Sequence, residues 1–354
     1  MSRRHYALAA VASLALGLTL AAAAVAPPAF AAEPSPAAAP SMPAFPGVGF
    51  QYLQIPDASG TPVEVGVWYP AAADAPLVPS RVGTYVLKLA LDAPVRGAHL
   101  PLVVMSHGNG GEFSGHWDTA VALAQAGFVV AALTHPGDNW RDQSRAVHLP
   151  DRPQQLKHLL DYMTDSWPGR AALDPGRIGA FGFSAGGFTV LALAGGEPDL
   201  GTVSAHCAAH PDYYDCTLVR RFPGAAESLA KARPVWTHDA RIRAVVSAAP
   251  AVGFAFGKEG LKGVTVPVQL WRAEKDHILP HPLYAQAVHD DLPTAPDYHE
   301  VAGADHFDFL VPCNDILRKS AAFICQSPQG FDRAAFHQAF DREVVAFFRR
   351  TLGG

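Results

Sequence analysis

An apolar strand, a helix and a second apolar strand follow one another within residues 101–133. "LPLVVMSHG" contains a continuous apolar strand over 102–105, "GHWDTAVALAQAG" predicts a helix that stops at Gly127, and 128–133 forms the next strand. Two strands joined through a helix run parallel, because the crossover returns the chain to the same end of the sheet. The sequence therefore predicts an α/β fold built on a parallel sheet.

The same alternation continues to the C-terminus. The stretches "RIGAFGF", "IRAVVSAAP", "VPVQLWRA" and "DYHEVAG" predict further strands, and "RPQQLKHLLDYMTD" and "FDRAAFHQAFDREVVAFFRR" predict helices between and after them. The segments 50–55 and 63–69 predict an antiparallel hairpin that enters the domain. We expect a mostly parallel, doubly wound sheet with helices on both faces.

Residues 195–240 interrupt this rhythm. They follow the small-residue helix 185–194 and contain "HPDYYDC" and "RPVWTHD". Functional loops collect at the carboxyl ends of sheet strands, so an insertion here could be a small cap over a pocket. A disulfide-pinned surface excursion is the alternative, and the sequence leaves both open.

The N-terminus predicts export. Arg3 and Arg4 precede a long Ala/Leu/Val run, and Ala29-Phe30-Ala31 follows it, which are the three regions of a signal peptide over 1–31. An uncleaved N-terminal anchor is the alternative, since the run is long enough to span a bilayer. The Ala/Pro-rich segment 32–46 predicts a flexible leader, and 47–354 predicts one domain in a periplasmic or secreted protein.

The charge balance argues against a polyanionic partner. Residues 1–31 contain two arginines and no acidic residue, so 25 basic against 32 acidic residues remain after them, a net charge of −7. Without a basic cluster, nucleic acid is not an expected partner. We expect no stable membrane insertion after signal cleavage, and the sequence does not indicate an oligomeric state.

Four cysteines in an exported chain predict disulfides. Three pairings are possible, and we favour the two that close short loops, which are Cys207 with Cys216 and Cys313 with Cys325. A zinc site is not expected, because no Cys-x-x-Cys or spaced histidine pair accompanies them.

The strand "RIGAFGF" delivers a serine between glycines. Gly182-Phe183-Ser184-Ala185-Gly186 matches Gly-x-Ser-x-Gly, in which the glycines let a strand turn sharply into a helix and expose the serine oxygen. A serine attacks only when a base takes its proton, so the hypothesis needs a histidine held by an acid.

Later loops supply both partners in the required chain order. "EKDHILP" follows one predicted strand and offers Asp276, which we prefer to Glu274 because a sharp turn favours the shorter side chain. "GADHFDF" follows the last predicted strand and offers His306 as the base. Asp305 and Asp308 lie too close to this histidine in the sequence to be favoured as the acid that orients it. We interpret Asp308 as a loop-stabilising residue.

Glycines also follow the strand at 102–105. In "SHGNGG" the main chain could approach a ligand closely, so we assign oxyanion donors to the N–H groups of Asn109 and Ala185. His107 is interpreted as structural, bonding within its own loop. A glycine-rich turn without catalytic meaning is the alternative for this segment.

These motifs together resemble a known group of enzymes. "VVMSHGNGG", "GAFGFSAGG", "WRAEKDHILP" and "GADHFDFL" are similar to the serine α/β-hydrolases of the dienelactone hydrolase and platelet-activating factor acetylhydrolase-like group. The resemblance implies an α/β-hydrolase fold with Ser184 as nucleophile, Asp276 as acid, His306 as base, and Asn109 with Ala185 as oxyanion donors. Dienelactone hydrolases carry cysteine at the position of Ser184, and the acetylhydrolases place the acid after an earlier strand.

The expected reaction is hydrolysis of a small-molecule or lipid-like carboxylic ester through an acyl-enzyme, with no metal or organic cofactor required. Trp140, Trp236 and Phe307 are candidates for lining an apolar substrate pocket. The same triad could cleave an amide, thioester or polyester bond, and a catalytically silent binding protein on this fold is a further alternative.

Overall fold

The computed structural model describes residues 44–57 and 60–353. The predicted signal peptide over 1–31, and all but the last three residues of the predicted leader over 32–46, lie outside the described residues. Among the helices that are described, none combines the length and apolar character needed to cross a bilayer.

One mixed sheet runs through the described part of the chain, in the order β10-β9-β8-β7-β5-β6-β2-β1-β4-β3. Its ten strands are β1 (Ala44–Pro56), β2 (Pro62–Pro70), β3 (Val78–Val82), β4 (Tyr85–Leu91), β5 (Leu100–Ser106), β6 (Val129–Leu133), β7 (Leu173–Phe183), β8 (Ile242–Ala248), β9 (Val268–Ala273) and β10 (Asp297–Val301).

The six strands from β10 to β6 in this order pair in parallel. The predicted entry hairpin is present, because β1 pairs antiparallel with β2, and β2 pairs antiparallel with β6. The mostly parallel sheet predicted from the strand and helix alternation is confirmed. Its carboxyl-terminal edge is where loops from several strands can meet.

Helices cover both faces of the sheet, as expected of a doubly wound fold. The α-helices are α1 (Trp117–Gln125), α2 (Asp151–Asp165), α3 (Ala185–Leu193), α4 (Thr202–Ala209), α5 (Tyr214–Arg220), α6 (Ala225–Lys231), α7 (Gly257–Leu261), α8 (Ala285–Asp291), α9 (Asp315–Ser320) and α10 (Arg333–Phe348).

Successive side chains of a central strand enter two different cores. In β6, Val129 and Ala131 join a cluster with residues of α2 and α3, whereas Val130 and Ala132 join one with residues of α1 and α10. Side chains alternate across a strand, so an unbroken apolar run places apolar groups on both faces. This explains why the central strands read as continuous apolar segments.

Two features at the sheet edge differ from the sequence expectations. The first strand includes the described end of the predicted leader, where the ring of Phe45 packs against Trp117 with centroids 5.8 Å apart. The strands β3 and β4 were not predicted. Both lie at the end of the sheet and β3 contains Pro79, a residue that edge strands tolerate and that weakens the strand pattern.

The segment 195–240 contains the three short helices α4, α5 and α6. The predicted pair Cys207 and Cys216 is bonded across α4 and α5, with the sulfur atoms 2.04 Å apart. The segment closes where the Asp239 N–H donates to the carbonyl of Leu193 at the end of α3.

Candidate active site

Ser184 lies at the turn between β7 and α3. Its backbone has φ 56° and ψ −117°, a positive-φ conformation that costs a non-glycine residue roughly 1–3 kcal/mol. The glycines allow this turn: a Cβ on Gly182 would collide with the carbonyl of Gly186, and one on Gly186 with the carbonyl of Ser106. The side chain is thereby held at the carboxyl-terminal edge of the sheet.

The imidazole of His306 stands between Ser184 and Asp276. Its Nε2 lies 3.1 Å from Ser184 Oγ, and its Nδ1 lies 2.8 Å from Asp276 Oδ2. The side chains of His306 and Asp276 are 2% and 3% exposed. The structure therefore brings together three residues that the sequence predicted from loops 92 and 30 positions apart.

The loop after β9 determines which carboxylate faces the imidazole. Asp276 accepts backbone N–H bonds from Ile278 at 3.1 Å and Leu279 at 2.7 Å on Oδ1, which leaves Oδ2 for His306. Glu274 is exposed instead, and its Oε2 accepts the N–H of Gly303 at 2.6 Å. Geometry therefore favours Asp276 over Glu274.

His306 begins a short 3-10 turn, His306–Phe309, that a capping box stabilises. Asp308 accepts the N–H of Asp305 at 2.8 Å with one oxygen and bonds Arg333 Nε at 2.9 Å with the other. The Arg333 guanidinium also donates to the carbonyls of Ile324 and Gln326, both at 2.8 Å. Asp308 thus ties the histidine loop to α10 and to the neighbouring loop.

The second predicted cysteine pair closes that neighbouring loop. Cys313 and Cys325 are bonded, with the sulfur atoms 2.10 Å apart. Within the closed loop, the ring of Phe323 lies 5.6 Å from that of Phe307, which in turn lies 5.4 Å from the imidazole of His306. The bridge therefore constrains a segment that packs against Phe307, the residue next to His306.

The loop after β5 lies against Ser184. A Cβ on Gly108 would come 3.2 Å from the Ser184 Cβ, so the glycine permits this approach. Neither Asn109 nor Ala185 donates its backbone N–H to any acceptor in the described part of the chain. Ala185 is the first residue of α3, where N–H groups lack a partner within the helix.

His107 has the structural role that its position suggested. Its Nδ1 lies 2.6 Å from the Gly108 carbonyl, and its Nε2 accepts the N–H of His135 at 2.9 Å. Burial, together with the nearby Arg152 charge, holds the pKa of His107 well below its usual range. The ring is therefore neutral at physiological pH and accepts the His135 bond.

A buried ion pair beneath this loop was missed by the sequence analysis. Arg152 in α2 pairs with Asp138 at 2.5 Å, with the two side chains 2% and 3% exposed, and it also donates to the His107 carbonyl. Asp138 follows β6 in "HPGDN". A signal was available, because Arg152 lies on the same helix face as the apolar Leu156 and Leu159, where a charge requires a buried partner.

The three predicted pocket residues have different environments. The side chain of Trp140 is exposed (60%), and its backbone N–H donates to the carbonyl of Gly111, in the loop after β5, at 3.3 Å. Phe307 lies beside the imidazole, as described above. Trp236 is partly buried: its ring packs on Phe188 with centroids 5.7 Å apart, and its Nε1 donates to the Pro198 carbonyl, so it packs against the apolar core. Its place in a substrate pocket stays a prediction.

Two groups of possible metal ligands occur in the described residues, and neither lies at Ser184. In the group that includes His206 and Asp215, Cys216 is consumed by its disulfide. In the other, formed by Asp118, His337 and Asp341, both nitrogens of His337 already have partners, at 2.7 Å on Asp118 and 2.9 Å on the Asp308 carbonyl. The bond between His337 and Asp118 is part of the packing of α10 on α1.

The fold is an α/β-hydrolase fold. A solved structure described as ferulic acid esterase from Streptomyces cinnamoneus superposes with a TM-score of 0.58 at 19% identity, covering 89% of this chain and 92% of that one. A curated relative from Nocardia uniformis subsp. tsuyamanensis, described as "Putative esterase NocK", is 30% identical over 126 residues. That match spans 35% of this chain and 37% of the relative's length. No protein-family model matches the chain.

Proposed function

We propose that this chain is an exported serine hydrolase that cleaves carboxylic esters through an acyl-enzyme. One observation carries the proposal: the hydrogen-bonded series from Ser184 Oγ through His306 to Asp276, at 3.1 Å and 2.8 Å. A base within hydrogen-bond reach of the nucleophile, itself oriented by an acid, is the arrangement that activates a serine.

The reaction would proceed in two transfers. As Ser184 Oγ bonds to the ester carbonyl carbon, its proton moves to His306 Nε2, and Asp276 stabilises the imidazolium through Nδ1–H. The tetrahedral intermediate collapses, and Nε2 returns the proton to the departing alkoxide. Water then attacks the acyl-enzyme with the same histidine as base, releasing the acid and restoring Ser184.

The negative oxygen of each intermediate needs donors aimed at it. The backbone N–H groups of Asn109 and Ala185 are proposed for this role. Asn109 follows Gly108, which lies against Ser184, Ala185 follows Ser184 in the chain, and neither N–H has an acceptor in the described residues. Removal of one such donor in other acyl-transfer enzymes costs about 10²–10³ in kcat.

The choice of an ester over an amide or thioester is supported by the two similar proteins, one described as a ferulic acid esterase and the other as a putative esterase. We place the chain near the dienelactone hydrolase-like group on the motifs given above. The proposed substrate is a small-molecule or lipid-like ester, which reaches the site past a cap formed by 195–240.

Export is proposed from the N-terminal sequence, and the two disulfides fit an oxidising compartment.

The test combines covalent labelling with turnover. A fluorophosphonate should label the wild-type protein at Ser184, and p-nitrophenyl esters of graded chain length should be hydrolysed. Ser184→Ala should lose both, with kcat falling by about 10⁶. Ser166→Ala, which removes the same oxygen at an exposed site beyond α2, serves as the control. A folded Ser184→Ala protein that keeps wild-type activity would refute the assignment.

A further inference from the structure

The inserted segment reaches the proposed oxyanion loop through one side chain. The hydroxyl of Tyr214 donates to Asn109 Oδ1 at 2.6 Å. Tyr214 is the first residue of α5 and lies two positions before Cys216, which is bonded to Cys207 on α4. The contact therefore links a disulfide-closed part of the insertion to the loop after β5.

The Asn109 side chain is held at its other end as well. Its Nδ2 donates to Asp138 Oδ1 at 2.6 Å, and the Gly110 N–H donates to the same oxygen at 3.0 Å. The second carboxylate oxygen of Asp138 pairs with the buried Arg152. Both polar ends of the Asn109 amide are thus engaged, while its backbone N–H has no acceptor among the described residues.

We propose that Tyr214 is a positioning residue for the oxyanion donor Asn109, and that the Cys207–Cys216 bridge holds Tyr214 in place. The inference rests on the proposed function, in which the Asn109 N–H stabilises the negative oxygen. A donor contributes only when it is aimed at that oxygen within a narrow range. Anchoring the side chain at two points restricts the Asn109 backbone and so orients its N–H.

The chemistry of the tyrosine suits this role. Burial raises the pKa of Tyr214, so its hydroxyl keeps the proton that it donates to Asn109. Within the same turn, Asp215 accepts the hydroxyl of Tyr284 at 3.0 Å, which fixes α5 from a second side. The bridge, the Tyr284 contact and the Asn109 contact together leave the start of α5 little freedom.

The primary test is Tyr214→Phe, which removes one oxygen and keeps the ring. We expect kcat for a p-nitrophenyl ester to fall about fivefold, the equivalent of one net hydrogen bond, with KM unchanged. Tyr213→Phe is the matched control. It removes the same atom from the adjacent residue, whose hydroxyl makes no hydrogen bond within residues 44–57 and 60–353, and it should leave kcat unchanged.

A second arm tests the bridge. The double variant Cys207→Ala, Cys216→Ala should lower kcat by a similar factor, and adding Tyr214→Phe to it should cause no further loss, because both changes remove the same constraint. Thermal unfolding checks that each protein is folded. The Tyr214→Phe comparison decides the proposal even if the bridge-free protein does not fold.

The outcomes separate the two proposals. An active wild type with an unchanged Tyr214→Phe kcat would overturn this inference and leave the proposed function standing. A Tyr214→Phe protein changed only in KM would indicate a substrate contact, and fully additive losses would show that the bridge acts elsewhere, so either overturns it. A wild type that hydrolyses no ester and resists the fluorophosphonate would overturn the proposed function and this inference with it.

Discussion

Replacing Asp276 by asparagine changes one atom at the hydrogen bond to His306. Asp276 Oδ1 accepts N–H bonds from Ile278 and Leu279, and the asparagine oxygen can keep both. The new amide nitrogen then takes the place of Oδ2, 2.8 Å from His306 Nδ1. An N–H facing Nδ1 requires a lone pair there, so the imidazole proton moves to Nε2, which faces Ser184.

An imidazole protonated on Nε2 cannot accept the serine proton. The same exchange in the serine protease triad costs about 10⁴ in kcat, which corresponds to about 5.4 kcal/mol of barrier at 1.36 kcal/mol per tenfold. We expect a loss of that size for Asp276→Asn in the proposed reaction. Because the two side chains have nearly the same shape, the unfolding midpoint should change little.

Glu274→Gln provides the matched control, since it makes the same chemical change two residues away. The Glu274 side chain is exposed, and its bond to the Gly303 N–H can be kept by the glutamine oxygen. Steady-state hydrolysis of a p-nitrophenyl ester should therefore stay within about twofold of wild type. If Glu274→Gln lost most of the kcat and Asp276→Asn kept it, the loop would have a different conformation and Glu274 would be the acid.

Three further predictions concern stability and covalent structure. Arg333→Ala should lower the free energy of unfolding, measured in urea, by about 3–5 kcal/mol, because it leaves the buried Asp308 carboxylate without its cation. The control Arg318→Ala removes an exposed ion pair and should cost under about 1 kcal/mol. Equal losses in the two variants would contradict this prediction. Burial and the neighbouring Asp118 carboxylate raise the pKa of Asp341 to about 8. The folded protein therefore holds this proton more tightly than the unfolded chain, and the stability that the protonated Asp341 contributes at acid pH is lost as the pH rises towards 8. Asp341→Asn should flatten the stability profile over that range, and an unchanged slope would argue against the shift. Peptide mapping without reduction should recover the Cys207–Cys216 and Cys313–Cys325 disulfides. Free thiols in the exported protein would contradict this prediction.

The order of elements could be predicted from the sequence because it depends on local patterns. Apolar runs alternating with helical periodicity require parallel strands joined by crossovers, and the glycines around Ser184 mark a sharp turn. Chain order then singled out His306 from sixteen histidines. The strand, helix and turn predictions use residues close together in the chain, and the choice of His306 uses only the order of the motifs along it.

Contacts between distant segments were decided only by the tertiary structure. The choice between Asp276 and Glu274 depends on how one loop directs its backbone N–H groups, and the partial burial of Trp236 depends on its packing against Phe188 of α3. The link from Tyr214 to Asn109 joins residues 105 positions apart. Such pairs have no local signature, since hydrogen bonding and burial are properties of neighbours in space that the fold alone brings together.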